Sequence, residues 1–140
     1  MKTLLMIPSF AALTFFAAAI HAGELTVIIT DIREAQGSLM VAVVNSDAGW
    51  NNQEKPVAAQ KVAAAKGEMT FRFADLPAGQ YAVQVMHDQN GNDKLDANFL
   101  GIPTEGYGFS NNPNVMRRAH YDEARFDVGV DPADITIRLR

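Results

Sequence analysis

The chain has 140 residues, 48% of them hydrophobic and 20% charged, which is the composition of one globular domain. Twelve Lys and Arg against sixteen Asp and Glu give a net charge of -4, leaving no basic surface for nucleic-acid phosphates or for polybasic docking on anionic lipid. With no cysteine, the chain has no disulfide scaffold, no thiol catalysis and no thiolate-ligated metal centre.

Residues 1–22 carry a targeting pattern. Met1 and Lys2 make a positive start, and an apolar run follows over 4–20, broken only at Pro8, Ser9 and Thr14. It ends in Ala17-Ala18-Ala19-Ile20-His21-Ala22, where small residues permit cleavage after Ala22 or, as a second choice, after Ala19. This is the layout of a bacterial-type secretory signal peptide, because a spanning helix wants about 20 unbroken apolar residues. The expectation is export to the periplasm or the medium, one domain over 23–140, and no membrane span once the signal is gone.

From there the chain reads as strands. Leu25, Val27 and Ile29 alternate with Thr26, Ile28 and Thr30, and Leu39, Val41 and Val43 with Met40, Ala42 and Val44. Both runs are apolar on both faces, which predicts central strands. Residues 47–66 hold Trp50, Pro56 and an alanine-rich stretch, which predicts one or two helical turns from Val57. Met69, Phe71 and Phe73, then Tyr81, Val83 and Val85, have a clean period of two and predict half-buried antiparallel strands. Between them, Asp75-Leu76-Pro77-Ala78-Gly79 supplies a turn. Phe126, Val128 and Val130, then Ile135, Ile137 and Leu139, predict two more strands separated at Asp131-Pro132. Six or seven short strands of this kind point to an antiparallel sandwich.

The stretch 88–122 has no convincing period, and a structureless connection that long in a compact domain is a place to look for function. It opens with oxygen-bearing side chains at every second position: Asp88, Asn90, Asn92 and Asp96, with the Lys94 carbonyl between. A hard cation such as Ca2+ takes six to eight oxygens, and alternate residues of a curled loop can aim them at one centre. The pattern follows an EF-hand loop through its ninth place and then departs from it. Asp93 stands where such a loop turns on Gly, and Phe99 stands where it supplies a bidentate Glu. The expectation is a related, weak calcium loop completed by Glu105, with a dissociation constant on the order of 0.1 to 1 mM. The competing reading is a polar turn in which Asp and Asn bind only backbone.

Beyond the acidic run, glycines at 101, 106 and 108 permit sharp turns, and Phe99, Tyr107, Phe109 and Asn111 form a candidate ligand surface, for instance for stacking on sugars. The simpler reading makes the aromatics anchors that pin the loop to the sandwich. Ser110 lacks the strand-to-helix elbow that exposes a hydrolase nucleophile.

Three segments together carry a resemblance: Asp75-Leu76-Pro77-Ala78-Gly79-Gln80-Tyr81-Ala82-Val83, then His87-Asp88-Gln89-Asn90-Gly91-Asn92 through Leu95-Asp96, and then Gly101-Ile102-Pro103-Thr104-Glu105-Gly106-Tyr107-Gly108-Phe109-Ser110-Asn111. In them the chain resembles the bacterial secreted family called domain of unknown function 2141. The turn segment is also similar to carboxypeptidase-regulatory-like sandwiches. The resemblance implies an all-β, seven-stranded antiparallel Greek-key sandwich of transthyretin or prealbumin type with one long functional loop, and it implies no activity.

The functional expectation is an exported binding or structural module, with an unknown protein or glycan partner, in which calcium orders the loop. The alternative is a periplasmic copper or iron protein, or an enzyme, using Met86, His87, Met116 and His120, since thioether and imidazole together favour copper. Met86 and His87 are adjacent on a strand and so point to opposite faces. Met116 and His120 share a face only if their segment is helical.

Overall fold

The computed structural model describes residues 22–140. The expected signal segment therefore lies outside the described residues except for Ala22, which opens the first strand. In chain order the elements are β1 (Ala22–Ile32), β2 (Ser38–Val44), the single-turn α1 (Asp47–Trp50), β3 (Ala58–Ala63), β4 (Gly67–Pro77), β5 (Gly79–Asp88), β6 (Tyr107–Phe109), the single-turn α2 (Tyr121–Ala124), β7 (Phe126–Val128) and β8 (Ala133–Arg138).

They form a two-sheet sandwich. One sheet has the order β4-β1-β8, and the other has β3-β2-β5-β6, with β7 also paired to β5. β6 lies against Gln84, Val85 and Met86, and β7 against Gly79, Gln80 and Tyr81, so the two short strands share one edge of β5 end to end. The period-two residues of the sequence make the core. Leu25, Val27 and Ile29 of β1, Leu39, Val41 and Val43 of β2, Phe71 and Phe73 of β4, and Val83 and Val85 of β5 are all buried in one cluster. Burying each such side chain contributes roughly 1.5–3 kcal/mol, so the sandwich needs no crosslink.

Three expectations are corrected. Among the described residues there are eight strands, not seven, because β3 and β6 join the six read from alternation. The sandwich is not purely antiparallel, since β8 runs parallel to β1 from Leu25↔Ala133 to Thr30↔Arg138. Alternation reports which face a side chain takes and says nothing about strand direction. The alanine-rich stretch is no helix either: it is edge strand β3, paired antiparallel with β2 from Ser38↔Ala63 to Val43↔Ala58. The open edge of β2 offers hydrogen-bond partners to the backbone of every second residue there, and with the side-chain contacts across the pair that outweighs a few tenths of a kcal/mol per residue of helix preference.

A second, smaller core sits on the outer face of the larger sheet. Val44, Trp50, Ala82, Ala119, Tyr121 and Ala124 are buried there, with Phe109 and Val115 packed against them. The Trp50 indole N–H donates to the Ala119 carbonyl at 2.9 Å, and the Arg118 guanidinium lies 5.5 Å from the Trp50 ring centre. The 113–124 segment is thereby clamped across the sheet. No helix among the described residues is long and apolar enough to cross a membrane.

Candidate functional site

β5 ends at Asp88 and β6 begins at Tyr107, so the loop between them leaves and re-enters neighbouring strands of one sheet. Two buried carboxylates fold it. Asp88, which is 0% exposed, accepts the N–H of Gly91 (3.0 Å) and Asn92 (3.2 Å) on Oδ1 and that of Asp93 (2.9 Å) on Oδ2. Glu105, 7% exposed, accepts the Gln89 N–H on Oε1 at 2.9 Å and the Asp96 N–H on Oε2 at 3.0 Å. Neither carboxylate has a cationic side-chain partner in an ion pair among the described residues. Five backbone N–H donors take that role.

The remaining oxygen-bearing residues close the ring. Half-buried Asp96 accepts from the Asn92 side-chain amide at 2.9 and 3.0 Å and from that of Asn90 at 2.5 Å. The Asn90 and Asn92 side-chain oxygens accept from the backbone N–H of Asn92 (3.2 Å) and Lys94 (3.0 Å). Asp93 pairs with Lys61 of β3 at 2.6 Å, and this partner raises the Lys61 pKa, through the hydrogen bond first and the carboxylate charge second. Asp88, Asn90, Asn92 and Asp96, named from spacing, and Glu105, named as the carboxylate that completes the loop, are thus brought into one network. Lys94 is exposed, and its backbone N–H enters that network. Among the described residues, no group of three or more His, Asp or Glu side chains is arranged to hold a metal ion.

Above the ring, residues 96–104 make a miniature hairpin. The Asp96 carbonyl accepts from the Thr104 N–H at 2.8 Å, Ala97 bridges Pro103, and the Asn98 N–H donates to the Ile102 carbonyl at 2.9 Å. Its turn is tied twice more, by the Gly101 N–H on the Asn98 carbonyl at 2.9 Å and by the Asn98 side-chain oxygen, which accepts from the N–H of Leu100 (2.9 Å) and Ile102 (3.1 Å). Gly101 takes φ +77 to close it. Phe99, Leu100 and Ile102 project from this turn, 96%, 68% and 56% exposed. Leu100, Ile102 and Asn98 were not singled out from the sequence, although the run Asn98-Phe99-Leu100-Gly101-Ile102 carries the signal: a turn-forming Asn and Gly set among large apolar residues.

The other predicted ligand residues serve the scaffold. Phe109 packs on Trp50, ring centres 5.3 Å apart, and Tyr107 packs on Phe109 at 5.7 Å, which is the anchoring alternative rather than an open platform. The Asn111 side chain donates to the carbonyls of Glu123 and Arg125, and Asn112 caps the free edge of β8 by bonding Thr136 and Arg138. Buried Ser110 donates to the Ala124 carbonyl at 2.6 Å and accepts from the Val83 N–H at 2.9 Å, a tie between β5 and the end of α2 rather than a nucleophile. Consecutive polar residues 110–112 therefore stitch three separate segments to β6.

The four residues of the copper alternative are not gathered. His87 lies in the buried face of β5 with Nε2 2.7 Å from the Gln36 carbonyl, while Met86 takes the outer face in register with Met40 and Tyr107. Met116 is fully exposed on a non-helical stretch, and His120 precedes α2 as its N-cap. The one-turn face that would have joined Met116 to His120 does not form.

Residues 27–136 match the profile of a family described as an uncharacterized protein conserved in bacteria, DUF2141. The chain belongs to that family. Comparison with curated proteins and with solved structures found no match. The matched span of the DUF2141 domain runs from inside β1 to inside β8, so it includes the whole loop, both buried carboxylates and the apolar turn. What the arrangement offers chemically is a rigid, mostly polar pedestal carrying three large apolar side chains into solvent.

Proposed function

We propose that this DUF2141 domain is an exported binding module whose working surface is the apex of the 88–105 loop. The observation that carries the reading is the exposure of Phe99, Leu100 and Ile102 on a turn tied by hydrogen bonds at Asn98, Leu100, Gly101 and Ile102. A floppy loop could fold such side chains inward; this one is held outward by Asn98, by the Ala97–Pro103 bridge and by the two carboxylates beneath. Soluble domains rarely keep contiguous apolar surface in water without a partner for it. Pre-ordering of the turn also removes part of the entropy loss on binding.

The chain has no cysteine, so one introduced thiol can be labelled uniquely. An environment-sensitive dye on Phe99→Cys is expected to shift to the blue when the protein meets a cell-envelope preparation from a bacterium that carries the gene. The same dye on Gln53→Cys, exposed at the far end of the sandwich, is expected to stay unshifted. No shift at 99 would overturn the proposal.

A second reading keeps calcium as the ion of the same loop, and Asp96 is the observation that favours it. Its carboxylate faces the side-chain amides of both Asn90 and Asn92, and turning those amides over presents two further oxygens beside it. A calcium-selective rise in the unfolding midpoint that is lost in Asp96→Ala supports this reading. Equal midpoints with calcium and with chelator refute it.

A further inference from the structure

We infer that the apex of the 88–105 loop inserts into the interface of a lipid bilayer, an inference that rests on the apex being the binding element. Three properties of the apex point to this occupant. The first is its area. Phe99 alone offers about 200 Å2, and with Leu100 and Ile102 the apolar surface is on the order of 400 Å2, about half of the roughly 800 Å2 per partner that a stable protein interface uses. Beside these three the loop exposes one further large apolar side chain, Leu95 at 37%, set among polar Asn98, Thr104, Lys94 and Asp96, so the patch stays small for a protein partner. A bilayer interface needs no complementary shape and accepts a small convex wedge to a depth of about 5–10 Å.

The second property is the direction of the side chains. The turn closes through Gly101 N–H on the Asn98 carbonyl, which sends residues 99 and 100 to the extreme of the hairpin. At the turn the N–H groups of Asn98, Leu100, Gly101 and Ile102 are already bonded within the loop, which lowers the cost of bringing the tip to the interface, where water still reaches the remaining backbone groups. The third property is charge. Around the apex, Asp93 is neutralised by Lys61, and Asp96 is held by two neutral amides. Asp88, Asp93, Asp96 and Glu105 against Lys61 and Lys94 leave the loop with an excess of negative charge, which gives no electrostatic attraction to anionic lipid, in keeping with a chain of net charge -4. Insertion is therefore apolar in origin and separate from the polybasic docking that the composition excludes.

The test is co-sedimentation of the unlabelled protein, in chelator, with phosphatidylcholine vesicles and with vesicles containing one-third phosphatidylglycerol. The expected result is partition into phosphatidylcholine at least as strong as into the anionic vesicles, no loss of binding from 50 to 300 mM salt, and at least a tenfold loss in Phe99→Asp. Val57→Asp, at an exposed apolar position away from the loop, is expected to bind as wild type does. Phe99 is solvent-exposed, so its variant keeps the wild-type unfolding midpoint, and loss of binding cannot be loss of fold. Binding only to the anionic vesicles, or binding that Phe99→Asp leaves unchanged, would show adsorption through another face and overturn the inference. Absence of binding to either vesicle also overturns it. If the dye at 99 still shifts with cell envelope in that case, the occupant is a protein and the binding-module reading stands; if the dye is silent too, both readings fall.

Discussion

Asp88 is where the two physical accounts of the loop diverge most sharply. As a capping group it accepts three backbone N–H bonds with both oxygens fully buried; as a calcium ligand it matters only when the ion is bound. In Asp88→Ala the donors of Gly91, Asn92 and Asp93 lose their acceptor. These residues are exposed, so water replaces part of the loss and the net value per bond applies, about 1 kcal/mol, rather than the gross one. Three bonds then amount to about 3 kcal/mol, reduced somewhat because the variant no longer buries a charge. For a domain of this size, 1 kcal/mol moves the midpoint by about 4 °C, so a fall of roughly 8–12 °C is expected in chelator. Asp88→Asn keeps the two bonds at Oδ1 and sets a donor against the Asp93 N–H, so it should fall about half as far. The assay is thermal unfolding followed by the fluorescence of Trp50, the only tryptophan. If Asp88→Ala unfolds within about 2 °C of wild type in chelator and differs only with calcium present, the capping account is wrong and the ligand account replaces it.

Two further predictions test the scaffold beneath the loop. Gly37 has φ +69, and a Cβ there would stand 2.0 Å from the Asp88 carbonyl oxygen and 2.7 Å from Gln89 Cα, backbone atoms that cannot swing away. Gly37→Ala should therefore lose more than about 3 kcal/mol. Gly91→Ala, at φ +74 with open space around it, should lose only about 1 kcal/mol of backbone strain, and similar midpoints for the two would contradict the clash argument. Glu123 titrates at about 2, pulled down first by its bond to Arg117 and then by the His120 N–H. Its folded pKa lies below the unfolded one, so its stabilising effect is present above about pH 4.5 and disappears as pH falls towards 2. Midpoints of wild type and Arg117→Gln should converge over that window, with the gap at neutral pH shrinking in high salt because the pair is exposed. A gap that persists unchanged to pH 2 would show that the pair is not its source.

Much of the fold is legible because burial on one or both faces leaves a period of two in the sequence. β1, β2, β4 and β5 bury Leu25, Leu39, Phe71 and Val83 with their alternate neighbours, and each is readable on its own. β3 is not, because an edge strand guarded by Lys61 and made of alanine, polar residues and a single exposed Val62 has almost no apolar face; its pairing partner decides it. β6 hides for a different reason. In Tyr107-Gly108-Phe109 the residue facing the main core is the glycine, since a Cβ there would stand 2.6 Å from the Ile137 side chain, while the two aromatics face the smaller outer core. The hydrophobic pattern is inverted, and what looks like a ligand platform is a strand.

The loop shows why a spacing rule can find the right residues without settling their task. Oxygens at alternate positions 88, 90, 92 and 96 are what a curled backbone needs to satisfy inward-pointing N–H groups, and equally what a hard cation needs for its shell. Both demands select lone pairs aimed at the inside of a tight turn, so Asp and Asn at every second place serve either. Only the partner of each lone pair separates the two uses, and that partner is a three-dimensional fact: Gly91, Asn92 and Asp93 N–H for Asp88, Gln89 and Asp96 N–H for Glu105. The consequence reaches the apex. With five amides held from below, the hairpin has a fixed base, and Phe99, Leu100 and Ile102 keep their exposure because the backbone beneath them has no alternative bonds to gain by collapsing. Weakening either carboxylate should therefore disturb not only stability but also the presentation of an apolar tip that neither residue touches.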